Sequence, residues 1–366
     1  MPPPTTTSSS PAAQHLSPST PLILDGALAT ELEARGLSLA TRLWSAAALA
    51  APAPTAAIRA VHASYYAAGA AVATTASYQA SAPGLRAAGY AEAEARALIV
   101  RSVDVAREAR EEQRRQQGAS KEMLVAGSVG PYGAFLADGS EYTGRYALSR
   151  EAFKDFHRER VALLVGAGAD VLALETMPNR VEIEAVVELL RDEFPQTRAW
   201  LGVTVRRRRE AVKGGAVAAV EEAAVELRRV ETGGSLAKEE GSAEGDELVL
   251  SDGSGLKGVG ELVRDSEQVV AVGVNCVPQD LVVEALRALR EGAGEKACVV
   301  YPNSGEVWDA ENKVWLEGEA TGGKALEERV REWWKEGARW IGGCCRMGPK
   351  DIKVIRQVVE ELQKGG

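Results

Sequence analysis

The chain has 366 residues, 45% of them hydrophobic, enough for a sizeable core in one large domain or two ordinary ones. No uninterrupted apolar stretch reaches the length of about 18 residues that spans a bilayer, and 43 basic against 52 acidic residues, a formal charge of −9, argue against a nucleic-acid surface and for a small-molecule or protein partner. Four cysteines are too few for a disulfide framework in so long a chain, and no leader with a basic start and an apolar core opens it, so a reducing cytosol is the expected compartment.

Residues 1–20 (MPPPTTTSSSPAAQHLSPST) are rich in Pro, Ser and Thr and carry one histidine as their sole basic residue, which predicts a disordered tail ahead of a domain over 21–366. Leu22-Ile23-Leu24-Asp25-Gly26 reads as an apolar strand ending in an acid and a glycine, followed by helix-favouring Ala27 to Gly36. A helical segment from Thr55 to Gly69 leads to a second strand, Ala71 to Tyr78. A charged amphipathic helix from about Ala91 to Gln117 leads to a third, Leu124 to Gly130, which runs into Pro131-Tyr132-Gly133. A helix over Arg150 to Gly166 precedes a strand Val171 to Thr176, and a helix over Arg180 to Phe194 precedes a strand Trp200 to Val205. Three more strands follow at Val270–Asn275, Cys298–Asn303 and Arg339–Gly343, and the last helix runs from Pro349 to Leu362.

Near-continuous apolar strands alternating with amphipathic helices are what a parallel sheet buried on both faces requires. Eight such units predict a single (β/α)8 barrel, with an open doubly wound sheet as the alternative. The polar residues gather at the C-terminal ends of the strands: Asp25, Thr75, Glu175, Asn275, Cys276, Asn303, Cys344 and Cys345. In a barrel that face carries the active site. One segment breaks the rhythm. Residues 206–250, rich in Arg, Glu, Gly and Ala, are too polar for barrel core and too long for an ordinary loop, and predict a partly helical, partly disordered insertion after the fifth strand. Its Arg206 to Arg209 run has the composition of a nuclear-localisation or phosphate patch, but flanking glutamates cancel the charge and favour a solvated loop.

Trp340-Ile341-Gly342-Gly343-Cys344-Cys345-Arg346 delivers two adjacent sulfurs to the end of the eighth strand. Neighbouring cysteines bond to each other only through a strained ring, whereas two thiolates at a strand end can turn to one metal ion and call for a third soft ligand. Cys276, which ends the apolar run Gly273-Val274-Asn275-Cys276, is the candidate. Three protein ligands with an open fourth position make a catalytic zinc site. Two other readings stand beside it: buried thiols on unrelated strands, and a redox pair, although dithiol enzymes usually space their cysteines by two residues. Cys298 starts its strand and reads as a small buried hydrophobe. His15 falls in the tail, and His62 and His157 fall in helices, where a lone histidine is more often a packing or surface residue than a ligand. The absence of a strand-end histidine weighs against a metal-dependent hydrolase.

Asp25-Gly26-Ala27, Thr74-Thr75-Ala76-Ser77-Tyr78-Gln79, Gly127-Ser128-Val129-Gly130-Pro131-Tyr132-Gly133, Leu174-Glu175-Thr176, Gly273-Val274-Asn275-Cys276, Tyr301-Pro302-Asn303-Ser304-Gly305 and Gly342-Gly343-Cys344-Cys345-Arg346 together resemble the motifs of the zinc-dependent homocysteine S-methyltransferase family. The resemblance runs in order from about Leu22 to Leu362 and leaves out the tail and the insertion. It implies a (β/α)8 barrel with Zn2+ on Cys276, Cys344 and Cys345, and homocysteine sulfur at the open position. It also implies that Asp25 and Glu175 contact the amino acid, with Gly26, Thr75, Tyr78 and Asn275 completing the substrate-binding set; the structural alternative is that each carboxylate caps a helix or orients a neighbour.

The expected reaction is methyl transfer from S-methylmethionine, or S-adenosylmethionine, to L-homocysteine. Ala76-Ser77-Tyr78-Gln79-Ala80 resembles the S-methylmethionine branch more than the betaine branch. A betaine-dependent enzyme and a non-catalytic zinc or homocysteine-binding barrel are the competing functions. Neither nucleic acid nor membrane is expected as a partner, and the sequence leaves the oligomeric state open. Tyr78 lines a donor pocket or packs the barrel top, and Asn275 bonds a ligand sulfur or substrate or else ties down its loop. The Gly127 to Gly133 turn lacks the Gly-Lys-Ser/Thr of a phosphate loop, and its glycines are expected to let backbone approach substrate or donor closely.

Overall fold

Eight parallel strands share one sheet: β1 (Leu22–Ile23), β2 (Val72–Thr74), β3 (Leu124–Val129), β4 (Val171–Met177), β5 (Ala199–Val203), β6 (Val269–Asn275), β7 (Ala297–Tyr301) and β8 (Ala338–Ile341). In this computed structural model, which describes residues 16–117, 122–208, 247–305, 307–309, 314–316 and 323–365, the order is β1-β8-β7-β6-β5-β4-β3-β2. The Ala71 amide donates to the Ile23 carbonyl at 2.7 Å, so the two ends of the sheet meet and it curls into a nearly closed (β/α)8 barrel. The doubly wound alternative is thereby excluded.

Strand period two separates the side chains into two layers. One set, including Leu124, Ala126, Ala173, Trp200, Ala271, Val299 and Trp340, packs inside the barrel. The other, including Val125, Leu172, Leu174, Leu201, Val272, Val300 and Ile341, packs under the helices. Small alanines leave room inside for Trp200, whose ring meets Trp340 and Tyr301 edge-on at centroid distances of 6.1 and 6.4 Å. Cys298, on β7, belongs to the outer layer as a buried hydrophobe.

The outer helices are Pro52–Ala68, Glu92–Gln117, Arg150–Gly166, Arg180–Glu193, Leu256–Arg264, Val282–Ala293, Gly323–Lys335 and Pro349–Lys364. Their starts carry the expected signals: Ser149 and Asn179 accept from the amides of Ala152 and Glu182, and Pro349 opens the last helix.

At the N-terminal end of the barrel, Leu16 packs with Leu22 and Val270 against the inner cluster. Of the expected tail, residues 16–20 are described and 1–15 lie outside the described residues. The insertion follows β5 as expected, but its base is ordered core. Val205–Arg207 pairs antiparallel with Leu248–Leu250, and Leu248, Val249 and Leu250 are buried, because apolar residues flank the polar run. Residues 209–246 lie outside the described residues, and with them the expectation of a part-helical, part-disordered insertion.

Candidate metal and substrate site

The Gly-Gly ahead of the two cysteines is required by packing. After β8, the Gly342 amide donates to Val300 O at 2.9 Å and that of Gly343 to Asp25 O at 3.0 Å. A Cβ on Gly342 would lie 2.6 Å from Leu24 Cβ, and one on Gly343 would lie 2.4 Å from Met347 Cβ. The chain therefore threads between β1 and its own returning turn, and the Cys344 amide donates to Pro302 O at 2.7 Å. Cys276 leaves β6 in the left-handed region at φ +54°, its amide bonded to Tyr301 O at 3.2 Å. That conformation turns its sulfur across β7 toward β8.

Cys276 and Cys345 have their Sγ atoms 3.7 Å apart, and the three Sγ atoms, with that of Cys344, lie within 4.8 Å of one another. No disulfide joins them. For a metal–sulfur bond of about 2.3 Å, two sulfurs of a tetrahedron stand about 3.8 Å apart, so this spacing fits a divalent soft metal with little movement. The protonation pattern agrees. Hydrogen bonds with Cys276 and Cys345 hold the Cys344 thiol well up, while those from Cys276 and Cys344 hold Cys345 well down, so the cluster shares a limited negative charge until a cation relieves it.

Two buried carboxylates face the same mouth. Asp25 accepts from the Thr74 amide at 2.7 Å and from Thr74 Oγ1 at 2.8 Å, yet burial pushes its pKa up to about 7. Glu175 accepts from Ser128 Oγ and Tyr301, and burial raises it likewise to about 7. Neither caps a helix through its side chain: Asn179 caps the helix after β4, and the short helix after β1, Leu28–Ala34, has no side-chain cap. The Arg160 guanidinium acts on Glu175 but leaves both carboxyls raised, so the pair suits a positive group.

The remaining expected residues divide. Asn275 is fully engaged with the next strand end, its Oδ1 accepting from the Thr176 amide at 2.7 Å and its Nδ2 donating to Thr176 Oγ1 at 2.8 Å. It ties down the residue after Glu175, which sits at φ +59°. Thr75 Oγ1 lies 2.7 Å from Ser77 Oγ and accepts from the Ser128 amide at 2.9 Å, so it braces the strand ends from within the wall. Gly26 lets β1 pass Met347, whose carbonyl would be 2.3 Å from a Cβ. Tyr78 stands at the mouth, bonded to Thr176 and edge-on to Trp44 with ring centroids 6.1 Å apart. Of the glycines from Gly127 to Gly133, Gly127, on β3, faces core side chains and the other two admit the protein's own loops: a Cβ on Gly130 would meet Tyr78 O at 2.5 Å, and one on Gly133 would meet Glu141 N at 2.5 Å. The expectation that they make space for substrate is corrected accordingly.

Two features escape sequence reading. Tyr142, on the turn Ser140–Tyr142, places Oη 3.6 Å from Cys276 Sγ across 134 residues, a distance no local pattern encodes. Behind the mouth, the buried Arg160 guanidinium donates to Gly130 O, to Tyr78 O at 3.1 Å and to His157 Nδ1 at 2.9 Å. His157 accordingly carries its proton on Nε2 and donates to Glu182 at 2.7 Å, and Glu182 accepts from the Tyr132 amide at 2.6 Å and from Tyr146. A signal existed here, since His157 and Arg160 share a helix face with Phe153, Val161 and Leu164.

A (β/α)8 barrel with three convergent thiols and two poised carboxyls at its C-terminal mouth defines a metal-centred small-molecule site. Comparison with known proteins agrees. The family model described as Homocysteine S-methyltransferase matches residues 22–359. The chain is 45% identical over 336 residues to the Homocysteine S-methyltransferase of Escherichia coli (strain K12), covering 92% of this chain and 94% of that one. It is 39% identical over 355 residues to Homocysteine S-methyltransferase YbgG of Bacillus subtilis (strain 168), covering 96% and 98%. Among solved structures, the metallated form of the homocysteine methyltransferase MmuM from Escherichia coli matches with a TM-score of 0.72 at 42% identity, over 93% of this chain and 96% of that one. The chain belongs to the homocysteine S-methyltransferase family.

Proposed function

We propose that the protein moves a methyl group from S-methylmethionine, or from S-adenosylmethionine, to the sulfur of L-homocysteine, giving L-methionine, with Zn2+ held by Cys276, Cys344 and Cys345. The observation that carries this reading is the cluster of three thiols within 4.8 Å at the barrel mouth, in a chain whose relatives include one solved in a metallated form. Bound zinc would supply the Lewis acidity that keeps a thiol deprotonated yet nucleophilic at neutral pH.

The chain's own residues do the rest. Asp25 and Glu175 receive the homocysteine ammonium, whose charge favours ionisation of both carboxyls and so orients the sulfur toward the cysteines. Gly26 contributes backbone to the same rim, Tyr78 faces the donor, and Thr75 and Asn275 belong to the substrate-binding set as braces that fix the strand ends. Attack forms the new S–CH3 bond as the donor's sulfonium–carbon pair returns to its sulfur, so opposite charges cancel as the methyl moves. We assign 21–366 to one homocysteine-binding domain interrupted at about 206–250, and 1–20 to a tail. Free thiols of this kind persist in a reducing compartment, so the cytosol is the proposed location. No helix among the described residues is long and apolar enough to cross a membrane.

The test is a methionine-formation assay on purified, zinc-loaded protein with S-methylmethionine, S-adenosylmethionine and betaine in turn. Transfer from a sulfonium donor is expected; transfer from betaine alone would replace this reading with the betaine-dependent one, and tight homocysteine binding without turnover would make the barrel a binding protein.

A further inference from the structure

The turn that carries Tyr142 also carries a carboxylate, Glu141, that the turn satisfies on one side only. Its backbone is fixed from several sides: Glu141 N and Cα would lie 2.5 and 2.8 Å from a Cβ on Gly133, and Thr204 Oγ1 donates to Glu141 O at 3.4 Å. Asp138 accepts from the Ser140 amide at 3.0 Å, and the Tyr142 hydroxyl reaches 3.6 Å from Cys276 Sγ. On this frame the Glu141 side chain turns inward. One side of it rests on the backbone amides of its own turn, while Oε2 is buried without a hydrogen-bond partner. Burial holds the carboxyl above its ordinary pKa, and among charged groups Glu141 acts most strongly on the Tyr78 hydroxyl at the mouth.

A buried carboxylate oxygen with no partner is costly, and the cost is removed when a positive charge arrives beside it. Asp25, just after β1, and Glu175, on β4, already answer the one cation that homocysteine brings. The methyl donor brings another, on the sulfur that must be delivered next to the three cysteines, where Tyr142 places this turn. We propose that Glu141 is the counter-charge that recognises the cationic sulfur of the methyl donor. The assignment rests on the sulfonium-donor reading and deepens it. Methyl transfer leaves the donor sulfur a neutral thioether, so Glu141 holds the donor more tightly than its demethylated product and favours exchange of one for the other.

S-methylmethionine and methionine share an amino-acid chain and differ by one methyl and the positive charge, so they report the charge directly. Wild-type protein is expected to bind S-methylmethionine more tightly than methionine by calorimetry. Glu141→Gln is expected to raise the S-methylmethionine KM about ten-fold, with kcat within a few-fold and with zinc content, homocysteine KM and methionine affinity unchanged. Glu141→Asp, which keeps the charge, is expected to recover most of the donor KM. An unchanged donor KM in the Gln variant would overturn the assignment, as would parallel weakening of S-methylmethionine and methionine, which would make Glu141 a support for the turn. Should the Gln variant fail to fold, equal wild-type affinity for the two ligands would overturn it alone. Wild-type protein inactive with every sulfonium donor would instead sink the proposed function.

Discussion

At the N-terminal end of the barrel, Leu16, Leu22, Leu124 and Trp340 pack side chain on side chain, and among the described residues the helix-to-strand turns place glycine wherever φ is positive: Gly69 before β2, Gly168 before β4, Gly294 before β7 and Gly337 before β8. At the C-terminal end the strand-to-helix turns put Thr176, Cys276 and Arg346 at φ of +59°, +54° and +63°. A side chain there costs about 1–2 kcal/mol against glycine. The C-terminal end also uses glycine at Gly139, Gly144, Gly253 and Gly305, but among these turns it alone keeps side chains at positive φ. The carboxyls that burial holds above their ordinary pKa, Asp25, Glu175 and Glu141, follow the same division, since all three sit at the strained end. Strain and uncompensated charge are concentrated where a ligand can relieve them, and the lower barrel supplies the stability that tolerates them.

The largest expected effect separates the two kinds of cysteine. Replacing Cys276, Cys344 or Cys345 by Ser should remove most bound zinc and lower methyl transfer by more than the roughly 10–100-fold typical of losing an outer partner of a metal ligand. Cys298→Ser, in the outer core layer, should leave metal content unchanged. Equal zinc in all four variants, measured by elemental analysis, would break the comparison. Next in size is Trp200→Ala below the mouth, expected to cost about 3–5 kcal/mol of stability as large-to-small core changes do. Its indole donates to Tyr301 Oη at 2.9 Å, and Tyr301 in turn bonds Glu175, so urea denaturation should show the loss together with a weaker homocysteine affinity.

The lower barrel was the more legible half. Strand and helix periods repeat along the chain, and each of the eight expected strands lies where its apolar run placed it, because burial on both faces leaves a continuous signal. The three thiols were legible too, since strand ends in a parallel barrel converge whatever their separation in sequence. Side-chain partnership at the mouth was not. Asn275 and Thr176 are 99 residues apart and Tyr142 and Cys276 are 134 apart, and nothing local tells Asn275 to hold a backbone amide in place of a substrate. The glycines of the third strand-end turn misled for the same reason: glycine marks a close approach without saying whose atoms approach.

The poised carboxyls give a pH test of the strained end. Asp25 has its pKa raised from 3.8 to about 7 by burial, so the ligand-free native state holds its proton where the unfolded chain has lost it. Stability from this group is fully present below about pH 4 and is lost as the pH rises through about 7. At about 1.4 kcal/mol per pKa unit the full loss is on the order of 4 kcal/mol. Substrate-free protein should therefore resist urea better at pH 5 than at pH 8, and Asp25→Asn should flatten that difference. Glu175 should keep its own share of the slope, so an identical slope in the variant would mean that Asp25 holds no such proton in the native state.

The smallest effect asks whether every strained residue at the mouth is there for its side chain. Ala137 ends the short helix Tyr132–Leu136 at φ +55° and ψ +41°, its amide donating to Gly133 O at 3.3 Å. A helix that ends in this conformation ordinarily does so on glycine. The alanine methyl has no ligand to serve, so Ala137→Gly should remove about 1–2 kcal/mol of strain while adding roughly 0.5–1 kcal/mol of unfolded-state entropy. The net gain of about 0.5–1 kcal/mol should appear as a higher urea midpoint, with kcat and both KM values unchanged. If the variant is more stable but its donor KM rises, the strain at Ala137 aims the turn that bears Glu141 and Tyr142, and the division between the two ends reaches beyond the residues that touch ligand.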